Sequence, residues 1–197
     1  SMIAALKSIE RSDVVLLVVD ANQGVVEQDA RIAGHIIDRG KALILVINKW
    51  DLLEKDDKTL SKMKEEIYDK MKFLEFVPMV FVSAKSGQRV PSILEKVNTV
   101  YEQYSKRIQT SDLNKIMQSI TSRHTPPANQ GKKTKIFYAT QVSTRPPSFV
   151  ITSNSPNSIN LSYKRYITAQ FRYFFGFEGT PIHIMWRDNA KNNPFKD

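Results

Sequence analysis

Three short runs, apolar at every position and each followed by an amphipathic stretch, constrain the fold of this chain most. They occupy residues 14–19, 42–47 and, after Pro78, 79–82. Unbroken Val/Ile/Leu runs of this length fit strands covered on both faces, as in a parallel sheet, better than strands with one wet face. The intervening segments have helical periodicity. Residues 27–39 place Ala30, Ile32, Ala33, Ile36 and Ile37 on one side, and Gly40 provides a stop. Residues 59–73 align Leu60, Met63, Ile67, Tyr68 and Met71. Residues 90–104 align Ile93, Leu94, Val97, Val100, Tyr101 and Tyr104, and residues 2–9 add a short opening helix. Helices alternating with buried strands predict right-handed crossovers on a three-stranded parallel sheet.

The pattern changes after Arg107. Leu113, Ile116, Met117 and Ile120 mark a helix that Ser111 or Asp112 would cap. A loop rich in Pro, Asn, Gly and Lys spans 124–135. Residues 136–142 and 148–152 read as paired strands around Pro146-Pro147, residues 163–175 as a helix and 181–187 as a last strand. The expected architecture is α/β, a partial parallel sheet with flanking helices over residues 1–106. A small α+β domain in the order α-β-β-α-β follows over 107–190, with a frayed tail at 191–197.

Charge separates the same two halves. Of the 29 Lys/Arg and 20 Asp/Glu, 16 of each fall in residues 1–106, whereas 107–197 holds 13 Lys/Arg against 4 Asp/Glu. The whole net charge of +9 therefore sits in the second half. A basic module of this kind suits a polyanion, most often nucleic acid. The chain has no Cys and three scattered His, which excludes disulfide frameworks, thiolate metal sites and cysteine nucleophiles. No apolar run approaches the roughly 18 residues of a membrane span, and no secretory signal pattern opens the chain, so a cytoplasmic location is expected.

The chemistry concentrates at two strand ends. The second run closes on Asn48-Lys49-Trp50-Asp51 and the third on Ser83-Ala84-Lys85. In an open parallel sheet both would emerge at the carboxyl edge, where ligands bind. Guanine presents two adjacent donors, N1–H and the 2-amino group, and the Asp51 carboxylate can accept both in a fork. Adenine lacks this pair and would leave the carboxylate desolvated and unpaired. The Asn48 amide can reach N7 while bracing the neighbouring loop. Lys49 and Lys85 can lay their aliphatic stems along the two faces of the base. The Ala84 N–H can donate to O6, and the Ser83 hydroxyl can orient Asp51.

Phosphate recognition is missing from this sequence. Neither Gly40-Lys41 nor Gly131-Lys132 has a glycine at the phosphate-loop offset, and Ala42 stands where Ser or Thr would be needed. Asp20-Ala-Asn-Gln-Gly24 is one residue too long for an Asp-x-x-Gly switch and reads as a strand-end turn. The chain alone is therefore expected to be inactive in hydrolysis.

The chain resembles the Der (EngA) family of bacterial GTPases over essentially its whole length. The resemblance rests on Ile9-Glu-Arg-Ser-Asp13, Val19-Asp20-Ala21, Glu27-Gln28-Asp29, Asn48-Lys-Trp-Asp51 and Ser83-Ala84. It also rests on Tyr138-Ala-Thr-Gln-Val142, Pro146-Pro-Ser-Phe-Val150 and Phe175-Gly-Phe-Glu-Gly-Thr-Pro-Ile182. It implies the later half of a P-loop GTPase domain followed by a KH-like domain, with Asn48, Lys49, Trp50, Asp51, Ser83, Ala84 and Lys85 at the guanine base. It further implies GTP or GDP with Mg in the intact protein and assembly of the large (50S) ribosomal subunit as its task. The implied partners are that subunit's rRNA and upstream G domains.

RNA contact is expected from Lys132, Lys133, Lys135, Lys164, Arg165 and Arg172. Helical spacing makes most of Tyr163, Tyr166, Phe171, Tyr173, Phe174 and Phe177 core residues, with room for one that stacks on a base. Gly176-Phe-Glu-Gly179 has the spacing of a KH phosphate clamp, but it follows a helix, precedes a strand and carries an acid, so it reads as a helix stop and turn. Two alternatives are an RNA- or ribosome-binding module without nucleotide turnover and an Era-like GTPase. An uncovered first strand would also favour self-association of the chain.

Overall fold

The structure is a computed structural model that describes residues 2–189 other than 55, 57, 129, 130 and 132. The chain divides into two compact units: Ser1–Ser105 with Phe177–Pro181, and Lys106–Gly176 with the chain from Ile182 onward.

In the first unit β1 (Val14–Asp20), β2 (Ala42–Asn48) and β3 (Met79–Phe81) form a parallel sheet in the order β1-β2-β3. Helices α1 (Met2–Arg11), α2 (Glu27–Asp38), α3 (Thr59–Lys70) and α4 (Pro91–Ser105) connect and cover it. Alternate strand residues supply two cores. Val19, Leu43, Leu45, Ile47 and Phe81 pack with Ile9, Ala33, Ile36, Ile67 and Met71 from α1, α2 and the α3 end. Ala42, Ile44, Val46, Val80 and Val82 pack with Val100 and Tyr104 of α4 on the opposite face. Every residue of β2 from Ala42 to Ile47 is buried, as its unbroken apolar run requires.

β1 departs from that expectation. Leu16 is 40% exposed and Val18 58%. Among the described residues β1 pairs with β2 alone. Its apolar run is therefore a central-strand sequence placed at a sheet edge.

A second departure concerns Phe177–Pro181, which the sequence assigns to the second domain and the structure to the first unit. Gly176 (φ +86), Phe177 (φ +61) and Gly179 (φ +71) make the predicted turn. Its backbone is then bound into the first unit. The Gly179 N–H donates to the Phe76 carbonyl (2.7 Å), and its own carbonyl accepts from Leu43 N–H (2.8 Å). The Phe177 N–H donates to Gln103 Oε1 (2.9 Å), and Glu178 pairs with Lys96 (3.0 Å). Phe177, Gly179, Thr180 and Pro181 are all buried.

The second unit comprises α5 (Thr110–Arg123), β4 (Ile136–Ser143), β5 (Ser148–Ser153), α6 (Leu161–Phe175) and β6 (His183–Asp188), the predicted α-β-β-α-β order. β5 is central, antiparallel to β4 and parallel to β6. Leu113, Met117, Ile120, Phe149, Ile151, Tyr163, Ile167 and Phe171 are among its buried apolar residues. The Asn114 amide donates to the Ala139 carbonyl and accepts its N–H, both at 2.9 Å, which joins α5 to β4. Helix α5 starts earlier than predicted: Gln109 is its N-cap and makes no side-chain cap, so neither Ser111 nor Asp112 serves. The tail at 191–197 lies outside the described residues. Among the described residues no helix is long and apolar enough to cross a membrane.

Candidate functional site

Parallel register brings the ends of all three strands of the first unit to one edge. Asp20 stands opposite Asn48, and Val82 follows β3 with its N–H on the Ile47 carbonyl (2.9 Å). The loops leaving this edge are joined by short bonds. Ala21 N–H donates to the Asn48 carbonyl (2.9 Å), and Trp50 N–H donates to the Val82 carbonyl (3.1 Å). The Asn48 side chain spans between them, its Oδ1 accepting the Ala84 N–H at 2.9 Å. That bond is the predicted bracing role of Asn48. It also engages the Ala84 N–H that the sequence reading aims at O6 of the base.

Lys49 has φ +62, a left-handed turn uncommon for a residue with a side chain, and its ammonium pairs with Asp20 Oδ2 at 2.6 Å. Asp20 Oδ1 accepts the Asn22 N–H at 2.9 Å. The Lys49 ammonium, followed by the Asn22 N–H, holds the Asp20 carboxyl below the usual carboxylate range. The predicted strand-end turn is present, with Gln23 and Gly24 N–H both on the Asp20 carbonyl. The role of Asp20 toward Lys49 was not anticipated. Its signal was available, because a parallel pairing of the first two runs sets Asp20 beside Asn48.

Asp51 is exposed in a single 3₁₀ turn, Trp50–Leu52. Trp50 is a correction to the base-reading set: it is 4% exposed and lies edge-on to Phe81 with ring centroids 4.7 Å apart. Its position in the motif is explained by packing beneath the loop. Ser83 is buried and bonded locally, its N–H to the Gln88 carbonyl (3.0 Å) and its Oγ to the Ser86 N–H (3.3 Å). It shapes the turn that presents exposed Ala84 and Lys85. The edge thus offers one exposed carboxylate, one bridging amide and a lysine stem, a donor and acceptor set that fits a purine with two adjacent N–H donors. Among the described residues no group of three or more His, Asp or Glu side chains is placed together to hold a metal ion.

In the second unit Lys133, Lys135 and Arg165 are exposed and Lys164 is half-buried. Lys132 lies outside the described residues. Arg172 is half-buried on α6, and burial pushes its guanidinium down to about 10, a value at which it still carries its charge at neutral pH. Tyr163 and Phe171 are buried on α6, as helical spacing implied, whereas Tyr173 is 78% exposed; Phe177, buried in the first unit, lies beyond the helix.

Comparison with known proteins follows the same division. Residues 2–103 match the family described as the elongation factor Tu GTP binding domain. Residues 107–187 match the family described as the KH-domain-like C-terminal part of EngA bacterial GTPase enzymes. The GTPase Der of Geobacter metallireducens is 48% identical over 187 residues, which cover 95% of this chain and 43% of that protein. The GTPase Der of Staphylococcus aureus is 46% identical over the same length and shares of each. The chain thus spans less than half the length of these relatives. Among solved structures, Era in complex with MgGDPNP and a segment of 16S ribosomal RNA is 20% identical, with a TM-score of 0.44 over 98% of this chain and 72% of that one. With an elongation-factor-type GTP binding domain in its first unit and the EngA KH-like domain in its second, the chain belongs to the Der (EngA) family of bacterial GTPases.

Proposed function

We propose that the first unit reads guanine, as the base-binding part of a GTP-binding and GTP-hydrolysing protein. The observation that carries this reading is the Asn48 Oδ1 bond to the Ala84 N–H, because it ties the Asn-Lys-x-Asp loop to the Ser-Ala-Lys loop at the carboxyl edge of the sheet. In this reading Asp51 accepts N1–H and the 2-amino group, Asn48 meets N7, and Lys49 and Lys85 flank the ring. Phosphates, magnesium and attacking water are handled by parts of a longer protein, and this chain alone turns over no GTP. The longer protein acts in large-subunit assembly in the cytoplasm, with the basic second unit contacting rRNA through Lys133, Lys135, Lys164 and Arg165.

The test follows from the hydrogen-bond pattern. Asp51→Asn replaces one acceptor by a donor, which matches xanthine, whose C2 carries oxygen, instead of guanine. In a protein extended to the length of its relatives, this exchange should move preference from GDP to XDP by on the order of 10²-fold or more. In the 197-residue chain, guanosine should bind at about 1 mM or weaker and perturb the amides of Asn48 and Ala84, while adenosine leaves them in place. Equal response to both nucleosides, or an Asp51→Asn protein that still prefers GDP, overturns the reading.

A further inference from the structure

A cavity of about 430 Å³ opens in the second unit where the end of α5 meets the start of α6. Its walls include His124, Pro127, Asn160, Ser162, Tyr163 and Tyr166. Three of these carry rings that pack on one another. His124 lies nearly parallel to Tyr163 (5.6 Å between centroids, 20°) and 5.0 Å from Tyr166, and the two tyrosines are 5.6 Å apart. Both phenols are anchored inward: Tyr163 donates to the His124 carbonyl (2.8 Å) and Tyr166 to the Ile120 carbonyl (3.2 Å). Tyr163 is 3% exposed, whereas His124 is exposed. The exposed histidine ring thus packs on Tyr163 at the cavity wall, a surface on which a second ring could stack.

Basic residues neighbour the cavity walls along the chain. Thr134 Oγ1 donates to the carbonyl of Pro127 at 2.6 Å, which ties the backbone between the exposed Lys133 and Lys135 to a wall residue. Arg123 directly precedes His124, and Lys164 and Arg165 follow Tyr163 on α6. Among the described residues this unit has two carboxylates. Asp112 is in the first turn of α5, about 18 Å from His124 by helix rise. Asp188, at the end of β6, stands opposite Ser153 in register.

We propose that this cavity seats one unstacked nucleotide of single-stranded RNA, its base on the His124 ring and its flanking phosphates on Lys133, Lys135 and Lys164. The volume suits a nucleoside, and a recessed aromatic shelf reaches a base that is splayed out but not one paired inside a duplex. The Ser162 hydroxyl and the Asn160 amide on the wall supply polar partners for a ribose 2′-OH, the group that separates RNA from DNA. The proposal rests on reading the second unit as an RNA-binding module.

The test uses the 197-residue chain and a labelled ten-nucleotide RNA of mixed sequence, with matched single-stranded DNA, duplex RNA and a polyglutamate peptide as competitors. His124→Ala should weaken RNA binding about five- to a hundred-fold, with an unchanged melting midpoint. His124→Phe, which keeps a stacking face, should restore most of it. Lys133→Glu with Lys135→Glu should weaken binding and flatten its salt dependence. If the wild-type chain binds none of the RNA, the RNA reading of the whole unit fails. If it binds RNA but His124→Ala and the Lys133→Glu, Lys135→Glu pair are both silent, the RNA reading stands and the cavity is refuted. Duplex RNA or polyglutamate competing as well as single-stranded RNA also overturns the proposal, the latter in favour of an acidic protein partner.

Discussion

The Lys49 ammonium lies 2.6 Å from the Asp20 carboxylate, so the lysine of the base-reading loop is tethered to the end of a neighbouring strand. The two residues are 29 positions apart, and only the parallel register of β1 and β2 brings them together. The pair fixes the direction of the lysine stem before any ligand arrives, which lowers the ordering cost of binding.

The pH behaviour of this pair follows from the Asp20 carboxyl lying below its ordinary value of 3.8. A depressed carboxylate contributes stability that is complete above its unfolded value and is lost as pH falls through the lower folded value. The Lys49–Asp20 contact should therefore be constant from neutrality down to about pH 5 and break only under more acid conditions. Carbon-detected NMR titration should place the Asp20 midpoint below that of an ordinary aspartate, and Lys49→Gln should move it upward. A midpoint that ignores Lys49→Gln would rule the tether out.

Asn48→Ala removes the acceptor of the Ala84 N–H and should cost about 0.5–1.5 kcal/mol of stability. The effect should be local as well as global. Hydrogen exchange at Ala84 should accelerate far more than at Val46 or Val80, which are buried in the sheet. Uniform acceleration, or none, would mean that Asn48 does not join the two loops.

The core strands and the motif positions were legible because periodicity and strand-end placement are local properties of the chain. β2 is buried at each of the six positions from Ala42 to Ile47, as its composition requires. What stayed illegible depends on neighbours distant in sequence. Exposure of Leu16 and Val18 follows from β1 being an edge, which the strand's own residues do not encode. Trp50 shares a motif with Asp51, yet one side chain packs on Phe81 and the other faces solvent. The Lys49–Asp20 and Asn114–Ala139 contacts likewise need register and packing before they can be seen.

Gly179 offers the sharpest steric test of the fold. A Cβ there would fall 2.9 Å from Val100 Cγ2 and 3.0 Å from the Leu43 carbonyl oxygen, and the residue sits at φ +71. Strain in the left-handed region costs about 1–2 kcal/mol, and overpacking adds about 1–3 kcal/mol. Gly179→Ala should therefore destabilise the first unit by about 2–5 kcal/mol in denaturant unfolding. Gly131→Ala, also at positive φ but with nothing within 4 Å of its Cβ, should cost only the strain. Similar losses at the two sites would show that Phe177–Pro181 is not packed as described.

The edge of β1 makes a last prediction about the chain in isolation. An edge strand with Leu16 and Val18 exposed, paired with β2 alone among the described residues, presents both a backbone ladder and apolar surface to a second copy. Sedimentation of the 197-residue chain should show mass rising with concentration. Val18→Lys puts a charge on that face without touching a buried residue, since Val18 is 58% exposed. Burial of a valine is worth about 1.5–3 kcal/mol, so this substitution should weaken association by about ten-fold or more while leaving the melting midpoint of the monomer in place. Monomer at every concentration for the wild-type chain, or association that Val18→Lys does not reduce, would show that this edge is not a self-pairing surface.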